Sequence, residues 1–595
     1  MDADTLNLQQ IFGKDARYVV PTFQRQYVWS EEEHWKMLWN DLTQVVEKDL
    51  INIEKTDKEA SPLFLGAIVL DQLTNKTSKL ETREIIDGQQ RLMTLQILMS
   101  AAYNVANKHG DDKQSNYLEN LMYNNEDLVE KEEQEIKVRP IEPDQEAFLE
   151  VLNGKKDDWS EEEHSIIECY QFFSKEIEKW VEKGETDQKL EVLTDTLYEK
   201  VKMVVIDLDE EDDSQVIFET LNARGTPLLA GDLIKNYLLR EAKYEDFSQE
   251  KLHEKYWKQF DEEYWREEVV QGRLERPRIN VFIMHWLTMR TADQIRAKKL
   301  FPEFRKFLKS TDQSIKEVLQ DIDHYADVYE DFSEPYSNDV KGKFLERIDI
   351  MDTTTPLPVM LWMYGNESIP EEKREKSVEI IESWLIRRML CRETTKNYNK
   401  IFLDLLEKLQ NSDPEKIDQE VFDFFSEKEG DSDYWPEDQK LEQSMVEEQY
   451  WSRINQRRLR MVFRALEKEL RNTGKSETLE ISQNLEIEHI MPQKWERNWE
   501  LPGEKPREVE TMERDEIKNT IGNLTVLTDE LNPSVSNSGW EDKKQAIEEH
   551  TVLRLNQELV DNWEDEWNED TIEERGRKLA ETTKKVWPGP QSDYW

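Results

Sequence analysis

An acidic side chain and an imidazole stand side by side in LEIEHIMPQ, residues 485–493, where Glu488 and His489 end an apolar, strand-like run stopped by Pro492. About thirty residues on, IGNLTVLTDELNPSVSNSGWEDKKQAIEEH carries a turn at Gly522-Asn523, a strand over Leu524 to Leu527, a loop through Asn532 and a helix from about Trp540. These residue types suit hydrolysis of a phosphodiester. A neutral imidazole, with an ordinary pKa of about 6.5, takes a proton from water at physiological pH, so His489 is the expected base. The scissile phosphate and its leaving oxygen call for a divalent cation. Hard oxygen donors suit Mg²⁺ (or Mn²⁺), and Glu488 with the side-chain carbonyl of Asn532 supply two of them, leaving places for water and phosphate. Asn523 is expected to brace the loop and orient the His489 ring, which makes His489, Asn523 and Asn532 the expected catalytic set. Lys543 and Lys544, on the following helix, are expected to hold a DNA backbone. The other histidines, His34, His109, His164, His253, His285, His324 and His550, have no comparable partners.

A second constellation lies near the N-terminus. DGQQR sits at a strand-to-helix junction: Asp87 and Gly88 make the turn, and Gln89, Gln90 and Arg91 open the helix. A helix N-terminus presents unpaired N–H groups and the positive end of the helix dipole, which favours an anion such as phosphate, and Arg91 adds a bidentate donor. Asp87 is placed to orient Mg²⁺ or a water. Gln24 and Arg25 in FQRQYVW, and Asn222 and Arg224 in LNARG, are polar within apolar segments and are expected to close the same pocket; Lys235, alone in an apolar helix, is a further phosphate ligand. The residues alone also allow DGQQR to be a plain helix start with Gln24 and Arg25 reaching to the surface. No Walker motif is present: NTGKS at 472–476 has the right ending, but Glu469 stands where the first glycine would.

The elements that must position these groups are legible in outline. Ser30 and Glu33 predict a capping box at the start of a helix in SEEEHWKMLWNDLTQVVEKDL. PLFLGAIVL, EIIDG and VKMVVIDL read as strands, QQRLMTLQILMSAAYNVA as a helix, and an acidic helical stretch over about 100–200 as an insertion between the halves of one α/β domain. SQVIFETLNARGTPLLAGDLIKNYLLREA reads as helix, loop and helix. Helical periodicity fills 241 to about 410, where Tyr256, Trp257, Phe260, Tyr264 and Trp265 read as core. Residues 411–445 read as an acidic linker or exposed edge.

The 595 residues carry 130 acidic against 80 basic side chains, a formal charge of -50, with 37% hydrophobic and 10% aromatic residues. The apolar content supports folded domains, three or four at roughly 100–200 residues each. The charge opposes nucleic-acid binding by the average surface, so any DNA contact must be local. One local site is visible: RINQRRLRMVFRALEKELRNTGK, 453–475, has eight basic and two acidic residues. Its Arg457, Arg458 and Arg460 are expected to bind DNA, helped by Arg387, Arg388 and Arg392, unless that helix is an ion-paired face against the protein's own acids. No apolar stretch approaches the ~20 residues that span a bilayer, the N-terminal MDADTLNL is acidic and lacks a signal core, and Cys169 and Cys391 make no disulfide framework, which together imply a cytoplasmic protein.

Strand, strand and helix, with the acid-His pair first and two asparagines nine residues apart, is the order of a ββα-metal finger, and IEHIMPQ, IGNLTVL and Asn532 resemble the HNH endonuclease signature. FQRQYVW (23–29), FLGAIVL (64–70), IIDGQQRLMTLQIL (85–98), FETLNARGTPLLAGDLIKNYLL (218–239) and SWLIRRMLCRETTKNYNKIF (383–402) resemble the GmrSD family of modification-dependent, type IV restriction enzymes. Asn532 stands at the third HNH position in place of His and keeps an oxygen ligand, while the stretch from Trp495 to Lys518 is long and acidic for such a finger. The resemblance implies an α+β, predominantly helical chain. Residues 1–240 form a ParB/sulfiredoxin-like α/β domain whose arginine-bearing turn holds nucleotide phosphates of GTP or ATP, 241–445 a helical region, and 446–595 an HNH finger embedded in helices. It also implies a defence endonuclease that nicks or cleaves modified phage DNA under control of nucleotide hydrolysis. A single finger nicks; a double-strand cut needs a homodimer or repeated action. Two alternatives stay open: a nucleotide-binding adaptor whose finger is structural, and a nuclease of unmodified nucleic acid.

Overall fold

The computed structural model describes the chain except for residues 1, 22–23, 56–60, 73–79, 130–134, 155–163, 184–185, 209–228, 246, 272–273, 335, 474–484 and 529–537. It divides into two compact units, Met1–Lys258 with Gln313–Leu319, and Gln259–Asp312 with Gln320–Trp595. Most of the helical middle region therefore shares a unit with the C-terminal constellation. Helices predominate and the larger sheet is mixed, which makes the chain α+β. Among the described residues no helix is long and apolar enough to cross a membrane.

The first unit is built on six strands: β1 (Asp2–Asn7), β2 (Ala16–Val19), β3 (Leu63–Gln72), β4 (Glu81–Asp87), β5 (Val138–Arg139) and β6 (Val201–Leu208), in the order β1-β6-β3-β4-β2-β5. β1 runs antiparallel to β6 and β3 antiparallel to β4; the other neighbours are parallel. β3 is not the uniformly buried strand its composition suggests. Gly66, at φ +88°, lies in a register shift against β6 between Phe64 and Ala67; Phe64 is exposed, and only Ile68 to Leu70 are fully buried. The helix Gln89–His109 is buried along most of its length, because helices 112–122 and 165–181 pack around it.

One expectation is sharpened and another corrected here. The mostly helical stretch about 100–200 is no separate body: its β5 pairs with β2, and its helices Glu142–Leu152, Ser165–Val181 and Thr186–Asp195 share one hydrophobic core with the sheet. Ser30 does precede a helix, but its side chain makes no cap. The first turn, Glu31–Trp35, is wide, with Trp35 N–H donating to the Ser30 carbonyl, and Ser30 N–H meets His34 Nδ1 at 3.4 Å. The helix expected to open SQVIFETLNARGTPLLAGDLIKNYLLREA falls outside the described residues; the one expected to close it is Ala230–Tyr244.

The second unit is helical apart from two hairpins, β7 (Glu268–Gln271) with β8 (Leu274–Pro277), and β9 (Leu485–His489) with β10 (Leu524–Thr528). Of the aromatic stripe, Tyr264 is half-buried and the other four are core; in this unit Trp265 packs on Phe260, Phe282 and Tyr329 at ring-centroid distances of 4.9, 5.2 and 6.0 Å. Residues 411–445 are not a linker, although many of their side chains are exposed. They include the helices Ile417–Ser426 and Asp438–Glu447, and the turn between them is pinned by Arg387 and Arg388 at the end of helix Glu371–Leu390. Both arginines are 0% exposed, which removes them from any DNA surface. Arg388 donates to the carbonyls of Tyr434, Ser432 and Thr394 at 2.7, 3.0 and 3.0 Å, and Arg387 to those of Trp587 and Pro436 at 2.7 and 2.8 Å and to Asp438 at 2.5 Å.

Removing a buried donor strands its acceptors, at roughly 1–3 kcal/mol each. Arg388→Met, which keeps the apolar stem, is expected to destabilise the second unit by about 3 kcal/mol or more, read as an earlier midpoint in urea denaturation; an unchanged midpoint would show that water replaces the guanidinium.

Candidate functional site

β9 and β10 pair antiparallel with Leu524 opposite His489 and Thr525 opposite Glu488. Leu485, Ile487 and His489 are buried while Glu486 and Glu488 alternate to the other face, so the strand period separates imidazole from carboxylate. His489 is 5% exposed and burial pushes its pKa down to about 4, which keeps the ring neutral near pH 7. Its Nε2 lies 3.3 Å from Asn519 Oδ1, and the indole of Trp451 packs on it with centroids 4.4 Å apart.

The helix Trp540–His550 closes the hairpin and delivers Lys543. That residue does not sit on an outer face for a DNA backbone, as its position on the helix suggested. It is 2% exposed, with Nζ donating to the His489 carbonyl at 2.6 Å and lying 3.4 Å from Glu488 Oε1. Burial raises the Glu488 pKa, and the Lys543 ammonium opposes that shift. Lys544 bonds the Glu564 carbonyl at 3.0 Å.

Asn523 is fully buried. Its Oδ1 accepts from Met491 N–H and the Trp567 indole at 2.8 and 3.0 Å, and its Nδ2 donates to the carbonyls of Met491 and Lys518, both at 2.8 Å. The amide braces the loop after His489 but makes no bond to the ring, where Asn519 stands instead. Arg575, also buried, holds the entry to β10 through the carbonyls of Gly522 and Leu524 at 2.6 and 2.7 Å. Asn532 lies outside the described residues. Of the Arg-rich helix, Gln456–Thr473, Arg460 props β9 through the Leu485 carbonyl at 3.3 Å, Arg458 bonds the Met351 carbonyl, and Arg457 has its side chain 62% exposed beside Asp349 at 3.8 Å.

In the other unit, Asp87 ends β4, Gly88 takes φ +98°, and the helix begins at Gln89. A Cβ on Gly88 would stand 2.5 Å from Ile68 Cγ2, so the turn requires glycine twice over. The amide side chains fasten the preceding segment to this turn. Gln24 donates to the carbonyls of Ile85 and Ile86 at 2.5 and 3.1 Å, Gln89 to that of Arg25 at 2.5 Å, and Gln90 bridges the Gln26 carbonyl and Val28 N–H at 3.0 and 2.9 Å. Charged groups gather on the resulting frame. Arg91 donates to the Ala67 carbonyl at 2.7 Å, beside Gly66. Burial raises the Asp87 pKa against the pull of Arg91 and Arg25, and burial lowers that of Arg25 against the pull of Asp232 and Asp87. Asp232, one turn before the buried Lys235, escaped the sequence reading because only the fold carries it to Arg25. Asn222 and Arg224 lie outside the described residues.

Among the described residues no three His, Cys, Asp or Glu side chains group as a metal site. Glu488 is one hard oxygen donor, partly exposed, and fits a divalent cation that keeps most of its shell for water and phosphate.

Residues 8–239 match the family model described as the N-terminal domain of the GmrSD restriction endonuclease, and residues 435–582 match its counterpart for the C-terminal domain of GmrSD restriction endonucleases. The two matches take in both constellations and make the chain a restriction nuclease, with DNA as its substrate. It belongs to the GmrSD restriction endonuclease family. No curated protein matches it.

Because the buried Asn523 amide makes four hydrogen bonds, three of them fully buried, Asn523→Ala is expected to cost on the order of 3 kcal/mol, measured by calorimetry. A cost below about 1 kcal/mol would mean that the loop is held by other groups.

Proposed function

We propose that this restriction nuclease hydrolyses DNA at Glu488 and His489 by HNH chemistry, and that nucleotide bound around Asp87 and Arg91 controls it. The observation that carries the reading is the closing of the β9–β10 hairpin by helix Trp540–His550, with Asn523 bracing the turn and the acid-His pair at the strand's end. His489, neutral by burial, takes a proton from water at a ring nitrogen. Asn523 holds the backbone of Met491 so that the strand end stays fixed while the proton moves. Glu488, with Asn532, would hold Mg²⁺ or Mn²⁺, which when bound supplies charge stabilisation to the scissile phosphate and leaving oxygen. Lys543 places its Nζ beside the Glu488 carboxylate, 3.4 Å from Oε1.

In the N-terminal unit, the N–H groups opening helix Gln89–His109 and the guanidinium of Arg91 bind phosphates of GTP or ATP, Arg25 supplies a second cation, and Asp87 orients a water or metal. Gln24, Gln89 and Gln90 hold that frame; the sequence also offers Asn222, Arg224 and Lys235 to the same phosphates, the first two outside the described residues. The substrate is foreign DNA carrying modified bases or backbone, met in the cytoplasm, which fits a family of restriction enzymes. One finger per chain nicks one strand, and a homodimer would cut both.

One observation favours the alternative of a structural finger in a nucleotide-binding adaptor: His489 is almost wholly buried. The two readings separate on His489→Ala. If His489 is the base, the variant folds and loses Mg²⁺-dependent nicking of modified phage DNA by about 10²-fold or more; undiminished nicking removes the chemistry from this finger. Independently, Arg91→Ala is expected to abolish NTP turnover, and persistent turnover would move the nucleotide elsewhere. Modified and unmodified DNA and RNA, offered side by side with and without each NTP, test the substrate class.

A further inference from the structure

An imidazole acts as a base through one nitrogen only, and the partner of the other decides which. In His489 the partnered atom is Nε2, 3.3 Å from Asn519 Oδ1. The orientation of the Asn519 amide is set separately. Its Nδ2 donates to the Asp515 carbonyl at 3.2 Å, at the end of helix Arg507–Ile517, which turns the oxygen toward the ring. An amide oxygen only accepts, so Nε2 carries the hydrogen and the lone pair is left on Nδ1, which meets no hydrogen-bond partner among the described residues.

The main chain of Asn519 fixes the other side of the ring. Its carbonyl accepts from Tyr450 N–H at 2.8 Å and Trp451 N–H at 3.2 Å, and Trp451 is the residue whose indole packs on His489. Tyr450, wholly buried, is anchored in turn through its hydroxyl to the Leu390 carbonyl at 2.7 Å. Asn519 thus reaches His489 twice, through its side chain to Nε2 and through its backbone to the indole on the ring.

We infer that Asn519 is a positioning residue of the nuclease site, locking His489 in the Nε2–H tautomer so that Nδ1 is the nitrogen that takes the proton. The inference rests on the reading of His489 as the base. It separates the tasks of two asparagines four residues apart: Asn523 fixes the loop, and Asn519 fixes the ring.

The test uses the full chain, Mg²⁺ and nicked-plasmid kinetics, with Asn519→Leu to remove the acceptor at similar volume and Asn519→Asp to keep an acceptor oxygen. Asn519→Leu is expected to lower kcat by about 10–100-fold with little change in KM, and Asn519→Asp to recover most of that loss. Nitrogen-15 spectra of histidine-labelled wild-type protein, with the His489 signal assigned through His489→Gln, should show Nε2–H. An Nδ1–H tautomer overturns the inference even if Asn519→Leu does not fold. Equal losses in folded Asn519→Leu and Asn519→Asp also overturn it, as does full activity in Asn519→Leu. Nicking that survives His489→Ala sinks the site reading, and the inference with it, whereas nicking lost in His489→Ala but intact in Asn519→Leu sinks the inference alone.

Discussion

Buried cations bonded to backbone carbonyls hold this molecule's irregular segments in place. Arg387 and Arg388 pin the turn between helices 417–426 and 438–447, Arg575 holds the entry to β10, and Lys543 holds the end of β9. A carbonyl in the interior must find a donor, and an arginine offers five in a rigid fork without losing its charge. Desolvation works against each of them: burial pushes the Arg575 pKa down to about 9 and lowers those of Arg387 and Lys543. The carbonyl dipoles work the other way, and three of them converge on Arg388. Cations are the scarcer charge in this chain, and a substantial share of the structural work falls to those that are buried.

Strand and helix elements near both constellations were legible because their periodicity is local. β4, β6, β9, β10 and the helix from Trp540 stand where apolar alternation and the following turn placed them. Features that depend on distant partners were not legible. Residues 411–445 look like a linker because their acids and turn formers are visible and the two arginines that bind them are far away in sequence. β5 is two residues long, too short for any period, and exists because β2 offers it an edge. Lys543 looks like a surface lysine until the β9–β10 hairpin is folded beside it. Asn519 carries no signal of its own in KNTIGN, where Asn523 draws attention as the turn residue.

The two constellations share a construction. Each begins where a strand ends, and in each the side-chain amides bond the backbone while the titratable groups stay on the frame so formed. Gln24, Gln89 and Gln90 tie residues 24–28 to the Gly88 turn, leaving Arg25, Asp87 and Arg91 together. Asn523 ties the loop after β9, leaving Glu488 and His489 at its edge. An amide suits the bracing role because it donates and accepts at once and has no charge to desolvate. The charged groups are left with electrostatic partners of their own kind, Arg91 for Asp87 and Lys543 for Glu488, instead of backbone alone.

The formal charge of -50 then bears on specificity. DNA approaching an acidic surface is repelled on average, and the repulsion is screened beyond about 8–10 Å at physiological salt, so attraction has to come from groups close to the phosphates. The buried arginines and Lys543 cannot contribute to that approach, because their donors are already bonded to the protein's own carbonyls. Exposed cations such as Arg453, Arg457, Lys494 and Arg497 remain. A surface with so strong an excess of acids releases few counterions on nonspecific contact and gains little affinity from DNA as such. Discrimination then falls on contacts made only with the right substrate, a useful property in a nuclease that shares its cell with a genome.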